Sequence, residues 1–129
     1  MVMTQEEKLL LLKDLSARVP YKPKVKVLHV WNEDKEIEED VMDTVYCVLP
    51  DGYINTETID SDIPFMDVIL YLRPMSSMTE EEEIYYNTIY TTLKFYEKED
   101  WLNANHFDYR GLIPMGLALE APEDMYKTE

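Results

Sequence analysis

The chain has 129 residues and a mass of 15.3 kDa, the size of one domain that buries roughly two thirds of its unfolded surface, and at 46% hydrophobic residues a packed core is expected. Lys and Arg number 12 against 27 Asp and Glu, a formal charge of −15, which disfavours direct binding to nucleic acid or to an anionic membrane and leaves basic partners, cations or simple solubility. The lone cysteine, Cys47, excludes an internal disulfide framework and suits a reducing compartment.

No stretch approaches the ~18 apolar residues of a membrane span. The leucine run at 9–12 is short and is bracketed by Glu7, Lys8, Lys13 and Asp14, which is unlike a signal-peptide core, so a cytoplasmic protein is expected.

Thr4 followed by Glu7 forms a capping box, because hydroxyl and carboxylate can each satisfy a backbone N–H at a helix start. A helix is predicted to about Arg18, with Leu9, Leu12, Ser16 and Val19 on one stripe and Leu11 and Leu15 beside it; Pro20 and Pro23 stop it. Alternation over 24–31 predicts a strand with Val25, Val27, His29 and Trp31 on one face. A polar acidic connection at 32–40 leads to a second strand at 41–49, rich in β-branched residues. Pro50, Asp51 and Gly52 signal a turn, and a return strand at 53–59 completes an antiparallel meander.

Pro64 reads as the first residue of a short helix in which Phe65, Val68, Ile69 and Leu72 have helical spacing, and Pro74 ends it by pushing Arg73 out of the helical region. Thr79 with Glu82 makes a second capping box, and Glu80, Glu81, Glu82 and Glu83 complement the dipole of a helix expected to about Asn87. Residues 87–99 suit helix or strand, since Thr88, Tyr90, Thr91 and Thr92 are poor helix formers. A further helix over 100–106 buries Trp101 and Leu102, and 112–121, with Pro114 and Gly116, reads as an extended tail over the core. The expected fold is a single α+β domain: an N-terminal helix, a three-stranded antiparallel meander, then C-terminal helices and the extended tail.

Residues 36–72 hold ten acidic residues, Glu36, Glu38, Glu39, Asp40, Asp43, Asp51, Glu57, Asp60, Asp62 and Asp67, and no Lys or Arg. Such a flank is either a solvated surface or a docking surface for a basic partner, with Glu36, Glu38, Glu39 and Asp40 its densest part. The most specific local pattern is His106-Phe107-Asp108-Tyr109-Arg110-Gly111. One reading is a helix exit locked by polar contacts. The sharper one is a recognition surface of Trp101, Asn105, His106, Asp108, Tyr109 and Arg110, since aromatic residues and arginine dominate binding hot spots. A small-molecule or hydrolytic pocket lined by His106, Asp108, Tyr109 and Arg110 is a third.

His29, His106 and the carboxylates supply metal-ligand types without ligand spacing, so neither metal nor cofactor is expected. Ser76 and Ser77 read as turn residues, Cys47 as a small core hydrophobe, and Gly52, Gly111 and Gly116 are too scattered for a phosphate loop. A non-enzymatic protein is therefore expected. Ten tyrosines and eight methionines in so short a chain also suit a homo-oligomer.

The segments at 4–21 (TQEEKLLLLKDLSARVPY), 51–55 (DGYIN), 71–82 (YLRPMSSMTEEE) and 100–122 (DWLNANHFDYRGLI with GLALEAP) together resemble a family of small uncharacterised proteins of gut bacteria and their phages or mobile elements. The resemblance covers roughly half the chain and implies a genomic setting but no activity and no catalytic residues. Residues 32–48 and 87–99 depart most from the pattern.

Overall fold

The computed structural model describes residues 3–92 and 95–126. Helix α1, Gln5–Arg18, opens on the expected capping box, with the Glu7 N–H donating to Thr4 Oγ1 at 3.1 Å and the Thr4 N–H to Glu7 Oε1 at 2.9 Å. Its buried face is rotated from the expected stripe. Leu11, Asp14, Leu15 and Arg18 are buried, whereas Leu9 is 59% exposed. The i, i+3, i+4, i+7 spacing is intact, but two of its four members are an acid and a base that neutralise one another.

Strand β1, Lys24–Asn32, turns at 33–36 into β2, Ile37–Val48, so most of the segment expected as an acidic connection is strand. Its residues are held by the ladder, with Asn32 opposite Ile37 and Trp31 opposite Glu38. Between Val27 and Val30 the register shifts by one residue at a bulge where His29 takes φ 60°, the left-handed region that few residues other than glycine enter. The extra residue breaks the alternation: Val25 and Val27 are buried, while Trp31 is 57% exposed. Strands β3, Tyr53–Thr56, and β4, Ile63–Pro64, follow.

The expected three-stranded meander is overturned. β1, β2 and β3 are antiparallel neighbours, but they belong to a six-stranded mixed sheet of order β4-β3-β2-β1-β5-β6. The segment expected as a helix through Leu72 instead gives a single 3-10 turn and then strand β5, Val68–Leu72, paired antiparallel with β1 through Val25–Leu70 and Val27–Val68. Val68, Leu70 and Leu72 are all buried, a period of two that five apolar residues satisfy as readily as a helical period. The open hydrogen-bonding edge of β1 decides between them.

Part of the expected tail becomes β6, Ala118–Glu120, parallel to β5. Its three residues lie between Gly116 and Pro122, and carry no strand signal of their own. Helix α2, Glu80–Thr92, and helix α3, Phe95–Ala104, make the described part of 87–99 helical; α3 begins and ends earlier than the predicted 100–106 helix. The core lies on one face of the sheet, where Leu11 and Leu15 of α1 and Leu112 and Leu117 meet Val25, Val45, Ile54 and Leu70. Each such side chain contributes about 1.5–3 kcal/mol by burial.

Candidate functional site

Three places concentrate polar chemistry: the exit of α3, the β1–β2 hairpin, and a cleft beside the start of α2. At the exit, His106 turns the chain with φ 63°, and Phe107 then forms a parallel bridge with Arg73, just past the end of β5. The Arg73 N–H donates to the His106 carbonyl and the Asp108 N–H to the Arg73 carbonyl, both at 2.8 Å. The Asp108 carboxylate accepts the N–H groups of Leu112 at 2.7 Å and Ile113 at 2.9 Å, closing the loop that follows.

Beneath that loop lies a buried Asp14–Arg18 ion pair joined by the half-buried Arg110. Arg18 Nε donates to Asp14 Oδ2 at 2.8 Å, Arg18 Nη2 to Asp14 Oδ1 at 3.1 Å and to the Phe107 carbonyl at 2.7 Å, and Arg110 Nη1 to Asp14 Oδ1 at 2.7 Å. Arg18 Nη1 finds no acceptor. The Tyr109 ring, 5.4 Å from the Arg18 guanidinium and 4.8 Å from that of Arg110, supplies a π-face to both cations. Tyr109 donates its hydroxyl proton to Asn103 Oδ1 at 3.0 Å, and burial raises the pKa of that phenol.

His106 stacks on Tyr126 with ring centroids 3.6 Å apart and planes 13° apart. Burial first, then the positive charges of Arg18, Arg73 and Lys24, lower its pKa to about 4, so the ring is neutral at pH 7. Tyr126, whose hydroxyl is pushed well up by burial, ties the C-terminal segment to the sheet by donating to the Tyr71 carbonyl at 2.7 Å and accepting the Lys24 N–H at 2.8 Å. Trp101 packs against Tyr85 and Phe107 at 5.2 and 5.7 Å, and Asn105 Nδ2 donates to the Trp101 carbonyl at 2.9 Å. Trp101, Asn105, His106, Asp108, Tyr109 and Arg110 are thus neighbours, tied mostly to internal partners outside the set and, for Asn105 with Trp101 and Arg110 with Tyr109, to one another. They do not line a common pocket.

Sequence reasoning missed Asp14 and Arg18 as part of this cluster. Their signal was present, since both fall on the helical spacing of Leu11 and Leu15.

The acidic residues of the base-free stretch do not form one patch. Glu36 lies at the hairpin turn and Glu38 beside His29, both exposed, whereas Glu39 is half-buried and accepts from Asn32 Nδ2 at 2.9 Å. Asp40 accepts the His29 N–H at 3.4 Å. Asp43 is buried and structural: burial would raise its carboxyl, but hydrogen bonds from the Thr58 hydroxyl at 2.6 Å and from the Thr44 N–H at 2.8 Å outweigh that and hold it low. Asp51 and Asp62 close turns at the other end of β2, accepting from the Tyr53 N–H and from Asn55 Nδ2.

The cleft, of about 730 Å³, opens between the β5–α2 connection and the C-terminal segment, with Asn105 and Tyr126 also in its lining. Arg73 Nη1 and Nη2 donate to the two carboxylate oxygens of Glu82 at 2.8 and 2.6 Å, and the guanidinium lies 4.1 Å from the Phe107 ring. Those bonds hold the Glu82 carboxyl below the usual range, while Glu82 also caps α2 through the Thr79 N–H at 2.9 Å. Glu81, Glu120 and Glu123 add carboxylates to the lining. Among the described residues no group of three or more His, Cys, Asp or Glu is placed to hold a metal ion, and no helix is long and apolar enough to cross a membrane. Comparison with protein-family models, curated proteins and solved structures finds no match.

Proposed function

We propose that the protein is a non-enzymatic binding protein that engages a basic protein through the tip of its β1–β2 hairpin. The observation that supports this is the position of that tip. β5 pairs with β1 only at residues 25–27, and β3 pairs with β2 only at 45–48, so the ribbon between them runs on without flanking strands. Its end carries Glu33, Asp34, Glu36, Glu38, Glu39 and Asp40 against the single base Lys35. An acidic projection steers positively charged partners and orients them on approach.

Nucleic-acid-binding proteins present basic surfaces of the kind that fits. The family resemblance adds the setting, a bacterial cytoplasm in which a phage or mobile element meets host proteins. The test is capture from a gut-bacterial lysate by the wild-type protein and by a variant carrying Glu33→Gln, Asp34→Asn, Glu36→Gln and Glu38→Gln. One basic protein, lost at raised salt and lost with the variant, is the expected result. Retention by the neutralised variant would overturn the assignment to the tip.

The cleft favours a second reading, small-molecule binding. Its lining holds Glu81, Glu82, Glu120 and Glu123 against Arg73, which is already paired, so the ligand class is an organic cation. A screen of amines and guanidines by thermal shift, repeated with Glu120→Gln, tests it. A shift that the substitution leaves unchanged would place binding elsewhere.

A further inference from the structure

An antiparallel sheet with one face in water ordinarily carries polar side chains on that face. The outward positions of this sheet depart from the rule. With Val25, Val27, Val45 and Leu70 turned to the core, Lys26, Met42 and Ile69 are directly paired across three strands on the opposite face. Trp31, Met42 and Tyr46 are 57%, 55% and 55% exposed there.

Along β2 the outward positions are Glu38, Asp40, Met42, Thr44 and Tyr46, so Met42 and Tyr46 follow the two carboxylates rather than alternate with them. Trp, Met and Tyr are among the residues enriched in interface cores relative to the rest of a protein surface.

Charge returns along β1 and β2 in a definite order. From the base of the hairpin to its tip the outward rungs carry Lys24, Lys26, Asp40 and Glu38, two positive and then two negative, with successive rungs roughly 7 Å apart. That order is antisymmetric about its midpoint. A twofold axis there places Lys24 of one copy opposite Glu38 of the other, and Lys26 opposite Asp40.

We propose that the open sheet face is a homodimer interface in which two copies of the chain pack face to face about such an axis, with Met42 beside the axis and Trp31 on the outer rung with Glu38. A twofold contact requires a self-complementary patch, and this charge order supplies one. β1 and β2, about 30 and 40 Å long, with the much shorter β3 and β5 beside them at a spacing of about 4.8 Å, offer roughly 500 Å² per copy, below the ~800 Å² of a standard interface and in the range of a weak, concentration-dependent contact. The remaining carboxylates act weakly against association at physiological salt, where the Debye length is about 8 Å. Two sheets stacked about 10 Å apart would enclose the exposed aromatic and Met side chains as a second core.

The test is sedimentation of the full chain at micromolar to sub-millimolar concentration in physiological salt, which needs no partner and so stands apart from the docking assay. Concentration-dependent dimerisation is expected, weakened at least tenfold by Met42→Glu and by Lys24→Glu, with circular dichroism and melting unchanged. Because each rung pairs with its opposite, Lys24→Glu combined with Glu38→Lys should recover most of the lost association. A strictly monomeric wild type would overturn the proposal. So would a dimer indifferent to Met42→Glu, or one that the double exchange weakens further.

Discussion

The exit of α3 and the tip of the β1–β2 hairpin use the same kinds of side chain to opposite ends. At the exit, Asp14 and Arg18 are withdrawn from water and Arg110 is half-buried beside them, and one carboxylate serves two guanidinium groups. At the tip, Glu33, Asp34 and Glu36 stand in solvent. A buried charge is costly to desolvate, so its partners must stay, and the cluster ties α1 to a loop 96 residues further along the chain. An exposed charge costs the fold little and remains free to act on something else. Density of charged residues along the chain therefore says little about role; burial separates the two regions.

The comparison breaks most sharply at Asp14. Asp14→Ala leaves the buried Arg18 guanidinium, and the half-buried Arg110, without their carboxylate and should cost about 3–5 kcal/mol, read from urea unfolding. A loss below 1 kcal/mol would mean that the cluster is hydrated and no different in kind from the tip.

Next comes His106. Its folded pKa of about 4 lies below the 6.5 of the free side chain, so the unfolded chain takes up the proton first. The stability that rests on the neutral ring is complete above pH 6.5 and is lost as pH falls from there through about 4, by roughly 3 kcal/mol. The lowered carboxyl groups of Glu82 and Asp43 act in the same direction only below the ordinary carboxylate range, so the window between pH 6.5 and 4.5 belongs to His106. His106→Phe, which keeps a ring for Tyr126 to stack on, should flatten the profile in that window. An unchanged slope would assign it elsewhere.

Arg110→Ala should cost about 1–3 kcal/mol, because it removes one charge-assisted bond to Asp14 and leaves the bidentate Arg18 contact in place. Unchanged melting would return Arg110 to the candidates for recognition. The smallest effect on stability is expected at the tip, where Glu36→Gln should change unfolding by less than about 0.5 kcal/mol. A larger change would show that the hairpin end is held by its own charges.

Local chemistry was the legible part of the chain. The two capping boxes, the turn at Pro50 to Gly52 and the first two strands were readable because each rests on side chains a few residues apart. The sheet was misjudged where a short apolar run had to choose between periods, as in Val68–Leu72, and where Ala118–Glu120 acquired a strand only by lying beside β5. The pattern at 106–110 was visible in the sequence as a cluster of polar and aromatic residues. Its partners, Asp14, Arg18, Arg73 and Tyr126, come from distant segments that spacing along the chain does not connect.

Composition and local pattern by themselves determined an acidic, core-forming α+β chain with helix starts at Thr4 and Thr79 and an acid-rich segment free of Lys and Arg from 36 to 72. Tertiary structure alone decided that Asp14 is buried and Glu36 exposed, that the sheet has six strands, and that Met42 and Tyr46 share an open face. The physical reason is that helix caps and turns are satisfied within a few residues, whereas strand pairing and charge burial take their free energy from groups that become neighbours only when the chain has folded.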